Sequence, residues 1–205
     1  MFKISYQDGV SPLIEKMVRF HDWLIIFLII VSALTLGGIK AIKNRITNRR
    51  LIESNVIETA WTIIPVYILI GIGVPSLQLL YIVEGENISA QTVKAIGHQW
   101  YWHYDYPDFP PFDSYLVRRS YRHLEVDNRL FVPVNSGVQM LISAADVLHS
   151  WTVPTMGVKA DAVPGRINKL HLISKRPGIY YGQCSEICGR NHRFIPITVE
   201  CYNFN

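Results

Sequence analysis

The sequence predicts a membrane-anchored all-β protein: a two-helix transmembrane hairpin over residues 23–83, then a β-sandwich or barrel domain over residues 84–205. Three observations predict it. Residues 23–39 carry no charge between Asp22 and Lys40, and residues 59–83 carry none between Glu58 and Glu84. A spanning helix needs roughly 17–25 mostly apolar residues, and a buried core helix is usually shorter. From residue 91 onward, short apolar runs alternate with Pro, Gly and Asn, the signature of many short strands. The formal net charge of +4 is the third. Residues 84–205 hold 12 basic and 11 acidic side chains, so the positive excess lies in the membrane part. The basic balance therefore gives no reason to expect nucleic acid, and the partner it implies is the lipid bilayer.

Residues 1–22 form an outer segment and the start of helix one, with Ser11 as N-cap and Pro12 at the first helical position. The loop at 41–55 carries Lys43, Arg45, Arg49 and Arg50 against the single acid Glu53, which puts it on the matrix or cytoplasmic side. Two crossings return the chain, so residues 84–205 face outward. Helix two starts at Asn55, whose side chain with Glu58 three residues on reads as a capping box. An acid at membrane level is also a candidate for proton uptake. Pro65 and Pro75 should kink or loosen this helix, and neighbours must then satisfy the freed carbonyls. Neither span contains a charge, so the hairpin has no transport path of its own and leans on a larger membrane partner. Strands are expected at 91–96, 121–126, 130–134, 139–143, 169–173, 178–183 and 195–201.

The chemistry concentrates in Cys184-Ser185-Glu186-Ile187-Cys188-Gly189-Arg190-Asn191-His192. Two thiols and one imidazole share a short loop, and His149 lies 35 residues before the first thiol. Two soft thiolates with two imidazoles suit copper or zinc and do not suit calcium or magnesium. Zinc sites also tolerate this Cys spacing, so ligand count alone leaves zinc open. Three Cys, two of them four positions apart, do not make a disulfide framework, and Cys201 reads as an inert buried thiol. A second unusual stretch is Gly97-His98-Gln99-Trp100-Tyr101-Trp102-His103-Tyr104, in which six of eight residues are aromatic or His. A strand would bury only alternate positions, so the outward rings read as an interface, with Asp105, Asp108 and Asp113 following.

Residues 184–192, Asp146-Val147-Leu148-His149-Ser150-Trp151, residues 97–102, Asp161-Ala162-Val163-Pro164-Gly165-Arg166 and Glu58-Thr59-Ala60-Trp61 together resemble subunit II of cytochrome c oxidase, in the same order along nearly the whole chain. The resemblance implies a cupredoxin-like β-barrel outside the membrane and a dinuclear copper A centre. It implies that Cys184 and Cys188 bridge two copper ions, that His149 and His192 each bind one, and that Glu186 gives a backbone carbonyl to copper. It further implies magnesium on the Glu186 carboxylate, shared with subunit I. Trp100 takes the position that receives electrons from cytochrome c. Asp105, Asp108, Asp113, Asp127 and Asp146 resemble the acidic docking set, with Arg118, Arg119, Arg122 and Arg129 in the same region. Glu58 matches the mouth of a proton path into subunit I, and Asp161 with Arg166 look like a pair at the subunit I boundary. The implied place is the mitochondrial inner membrane, with the copper domain in the intermembrane space and oxygen reduction carried out by subunit I. One position departs: Ile195 stands where the family has an axial Met. Either copper lacks a thioether, or an AUA codon was read as Ile, as 26 Ile against 4 Met would fit. A quinol oxidase subunit II would lack the two Cys and two His, and a zinc-binding or copper-delivery module would need neither the aromatic stretch nor Glu58.

Overall fold

The computed structural model describes residues 7–44, 53–85, 89–118 and 123–203. The chain divides into two compact units, Lys16–Glu84 and Gly85–Asn205, the latter joined by the residues up to Glu15.

The first unit consists of helices α1 (Pro12–Lys43) and α2 (Asn55–Glu84), of 32 and 30 residues. At about 1.5 Å per residue each exceeds the roughly 30 Å apolar thickness of a bilayer. Both are long and apolar enough to cross a membrane, and their Leu, Ile and Val side chains stand exposed. Pro65 and Pro75 lie inside α2, which continues through both. The start of α2 differs from the expected cap. The Glu58 amide donates to Ser54 O at 3.0 Å, which makes Ser54 the N-cap and moves Glu58 one place past the capping-box position. Of the basic loop, Lys43 closes α1, while Arg45, Arg49 and Arg50 lie outside the described residues.

The second unit is all β. Strands β1 (Gln91–His98), β2 (Tyr101–Tyr106), β3 (Phe109–Ser114), β5 (Val138–Ala144) and β8 (Asn168–Leu172) form one sheet in the order β3-β2-β1-β5-β8. A second sheet has the order β4-β10-β9, from Leu130–Pro133, Pro196–Tyr202 and Gly178–Gln183. β6 (His149–Val153) and β7 (Val158–Ala162) form a two-stranded ribbon. β1 runs parallel to β5 and β10 parallel to β4, while the other ladders are antiparallel.

β2 resolves the aromatic stretch. Its burial alternates, so Trp102, Tyr104 and Tyr106 enter the core while Tyr101, His103 and Asp105 point outward. Trp151 from β6 joins them, its indole N–H donating to Tyr104 Oη at 3.1 Å. Truncating one of these buried rings to Ala would cost about 3–5 kcal/mol. The strand expected at 121–126 does not form as read. Residues 121 and 122 lie outside the described residues, and Val126 makes only an isolated bridge with Leu116. Sequence reading missed β2, β3, β6 and β7.

The lead-in to α1 is part of the β unit. Val10, Ser11 and Ile14 are buried. The Val10 amide donates to Thr155 O at 3.0 Å and the Lys175 amide to Val10 O at 2.8 Å. Gly9 is required here, because a Cβ would stand 2.4 Å from the Ile14 side chain. Ser11 does two jobs. Its Oγ accepts from the Ile14 amide at 3.2 Å, the N-cap bond the sequence predicts, and donates to Met156 O at 2.6 Å. Ser11→Ala removes both bonds and leaves a buried carbonyl without its donor. It should destabilise the β unit by about 1–3 kcal/mol, read as a lower urea midpoint of tryptophan fluorescence. An unchanged midpoint would contradict the double role.

Candidate metal centre

Four donor side chains meet at one end of the β unit. His149 opens β6, Cys184 follows β9 directly, Cys188 sits in the loop before β10, and His192 begins a 3-10 turn over His192–Phe194. The β9 and β10 ladder fixes both ends of that loop, and the Cys184 amide donates to Ile195 O at 3.0 Å across it. The Ser185 amide donates to Ser150 O at 3.1 Å, which ties the loop to β6.

The donors converge. Cys184 Sγ lies 4.0 Å from Cys188 Sγ and 3.9 Å from His149 Nδ1. Cys188 Sγ lies 3.4 Å from His192 Nδ1, and Glu186 O is 3.4 Å from Cys184 Sγ. Metal–sulfur bonds near 2.3 Å and metal–nitrogen bonds near 2.0 Å set tetrahedral ligands about 3.5–3.8 Å apart. The observed spacings match ligand separations, and a 4.0 Å gap between thiols is not a disulfide. His149, Cys184 and Cys188 are buried, and their donor atoms all lie within 4.8 Å of one another.

The order around His149 is set by its second nitrogen. Nε2 lies 2.9 Å from Asp146 Oδ1, so an Nε2–H donated there leaves the Nδ1 lone pair facing Cys184. Asp146 is itself held by the amides of Gln99 and Val147, both at 2.6 Å. Gly97 in β1 lets the imidazole approach the backbone, because a Cβ there would stand 2.9 Å from the ring. Trp102 meets the same ring edge-on at 5.9 Å.

Charge follows from this packing. Burial pushes the Cys184 thiol up, but the His149 hydrogen bond and the Glu186 and Ser150 backbone contacts outweigh it and bring the group to about 7. Burial and then the neighbouring Cys184 push Cys188 up to about 12. Burial pulls His149 down, but its bonds to Cys184 and Asp146 leave it raised. Burial likewise pushes Asp146 up, and its bonds from His149, Val147 and Gln99 leave it lowered. One thiol is thus readily ionised and the second needs a cation beside it, which a metal supplies.

Trp100 occupies the turn between β1 and β2, half-buried, with its indole N–H on Cys188 O at 3.2 Å. Gln99 Nε2 donates to the same carbonyl at 3.0 Å. The remaining sequence candidates spread over the unit. Asp105 pairs with Lys94 at 3.3 Å, and Asp113 with His103 at 2.7 Å. Asp127 accepts the amides of Tyr115 and Asn128, and Asp108 is exposed on the β2–β3 turn. Asp146, grouped with the docking acids in the sequence, is spent on His149. Asp161 and Arg166 are both exposed, and no ion pair joins them among the described residues: Asp161 lies in β7 opposite Ser150, and the Arg166 amide closes a turn onto Val163 O. Glu58 is exposed in the first turn of α2. Ile195 is buried and offers no donor side chain. Sequence reasoning missed Gln99 and Gly97 as parts of the site. The signal available for Asp146 was its place three residues before His149.

Residues 91–202 match the family described as cytochrome c oxidase subunit II, periplasmic domain, and residues 1–79 match its transmembrane domain. The chain belongs to the cytochrome c oxidase subunit II family. It is 47% identical over 211 residues to cytochrome c oxidase subunit 2 of Periplaneta americana, a match covering 98% of this chain and 92% of that protein. The solved periplasmic domain of subunit II of cytochrome oxidase (CoxB) of Bradyrhizobium japonicum is 42% identical with a TM-score of 0.56, over 57% of this chain and 87% of that one. The subunit II periplasmic domain in a mixed disulfide with thioredoxin-like TlpAs is 40% identical with a TM-score of 0.51, over 58% and 85%. As a family member the chain is a membrane-anchored subunit of a haem-copper oxidase, with a cupredoxin-like β domain.

The Asp146 contact generates a prediction. Asp146→Ala removes the acceptor that orients His149 and should weaken metal binding about 10–100-fold, measured by competition with a coloured chelator. Affinity within twofold of the unaltered chain would contradict that role.

Proposed function

We propose that the outer unit carries single electrons from cytochrome c to the haem of subunit I. The observation that carries this reading is the pair of thiols 4.0 Å apart, each with its own imidazole, Nδ1 of His149 beside Cys184 and Nδ1 of His192 beside Cys188. Cys184 and Cys188 together with His149 and His192 would hold two copper ions. Such a centre supplies a one-electron carrier whose charge is spread over both metals.

The chain's own residues do the rest. Cys184 and Cys188 provide two thiolates on one face of the loop. Asp146 holds the His149 tautomer, and the Glu186 carbonyl lies within reach of Cys184. The β core behind His149, with Trp102 and Trp151 fully buried, excludes water from one side and keeps the ligands from shifting. Trp100 receives the electron, and its N–H bond to Cys188 O links the ring directly to the ligand loop. Glu186, half-buried between the two Cys in the loop, would hold magnesium through its carboxylate at the boundary with subunit I.

Docking of cytochrome c uses the acids of the β2–β3 side, with Asp108 exposed and Asp105, Asp113 and Asp127 sharing their charge with neighbours on this chain. Opposite charge across such a face mainly raises the association rate and is screened by salt. Glu58 stands at the mouth of a proton path into subunit I, and Asp161 and Arg166 meet that subunit at its boundary. The unit at 84–205 lies in the intermembrane space and the hairpin at 23–83 in the mitochondrial inner membrane, with the basic 41–55 loop on the matrix side.

Cys184→Ser in the assembled oxidase should abolish electron transfer from cytochrome c while leaving the haem absorption of the partner subunit intact. Steady turnover with cytochrome c in that variant would overturn the reading.

A further inference from the structure

Gln99 touches both halves of the metal centre. It stands in the turn between β1 and β2, beside Trp100. Its backbone amide donates to Asp146 Oδ2 at 2.6 Å, and Asp146 Oδ1 lies 2.9 Å from His149 Nε2. Its side chain leads the other way, with Nε2 donating to Cys188 O at 3.0 Å. One residue thus ties the segment that carries His149 to the loop that carries Cys188. The Ser185 amide on Ser150 O makes a tie at the Cys184 end of that loop, and Gln99 makes one at the Cys188 end.

The loop is shaped to receive this contact. Cys188 O has two lone pairs and accepts from both Gln99 Nε2 and the Trp100 indole, the latter at 3.2 Å. Gly189 follows with φ of +112°, a region that disfavours any side chain. A Cβ there would stand 3.1 Å from Gln99 Nε2 and 3.4 Å from the Trp100 ring. Gly189 O in turn accepts the His192 amide at 3.2 Å, so the held peptide leads directly into the turn that carries the second imidazole. Orienting the Cys188 carbonyl fixes its backbone, and with it the Cα–Cβ bond that aims Sγ at the centre.

We propose that Gln99 is a positioning residue for the metal centre, whose side-chain amide sets the angle at which the Cys188 thiolate meets the metal and keeps it in register with His149. It acts through Cys188 O and Asp146 and offers no ligand atom itself. Partners of this kind behind metal ligands carry roughly 10–100-fold in affinity. The role rests on the reading of these side chains as metal ligands given above, and is independent of how many metals they hold.

The test is paramagnetic proton NMR of the full chain, loaded with copper in neutral detergent micelles. Gln99→Ala should move the Cys188 β-proton signals, which report the angle about the Cβ–Sγ bond. The Cys184 signals should move less, because Ser185 ties that end of the loop. Gln99→Glu keeps the length and removes the donor, so it should move the Cys188 signals as well, whereas a side chain that only fills space would leave them in place. The copper Kd of Gln99→Ala, read by chelator competition, should rise about tenfold. Cys188 signals unmoved in either variant, or Cys184 signals displaced equally, would overturn the role. Metal content of the unaltered chain is read in the same samples. One copper there would sink the two-metal reading, and the same comparison on the cobalt(II)-loaded chain would still decide Gln99.

Discussion

The β unit is organised around the contact between the His149 imidazole and the Cys184 thiol, 3.9 Å apart. His149 comes from β6 and Cys184 from the end of β9, so the ladders must bring two distant parts of the chain to within ligand distance. Gly97 opens the space for the ring from β1, and Asp146 fixes which nitrogen faces the sulfur. Without either, the four donors would still be present but His149 would be held less firmly toward the thiols. A rigid support behind the ligands matters more here than added ligand strength, because a carrier of single electrons works best when its bonds change little.

The same packing explains why a buried polar site is stable in an apolar core. Asp146, His149 and the two thiols form a chain in which each group has a partner, and the backbone amides of Gln99 and Val147 complete it. Buried polar groups cost little when they are all satisfied and a great deal when one is left alone. The thiol of Cys201, buried in β10 and pushed up by that burial, has no part in this chain and stays neutral.

Much of this was legible in the residues. Thiols four apart with a third donor four further on define a metal loop whatever the fold, and two long uncharged runs define spanning helices. The failures have physical reasons. β6 reads His-Ser-Trp-Thr-Val, a strand whose first two residues are polar and serve the site, so its apolar pattern is weak. The aromatic stretch reads as an interface only at its outward positions, and the alternation expected of it holds, with Trp102, Tyr104 and Tyr106 inward and Tyr101, His103 and Asp105 outward. The cap of α2 moved by one residue, within the ordinary slack of helix ends. The strap around Val10 and Ser11 was invisible because its partners, Thr155, Met156 and Lys175, lie more than 140 residues away. That strap also means that the β unit is not simply residues 84–205.

Most of the account rests on two sulfurs serving two metals at once. Metal analysis with electron paramagnetic resonance on the full chain tests this most directly. Two copper ions per chain, sharing one unpaired electron between equivalent nuclei, is the result the account predicts. One metal per chain, a silent zinc ion, or a bond between Cys184 and Cys188 would contradict it.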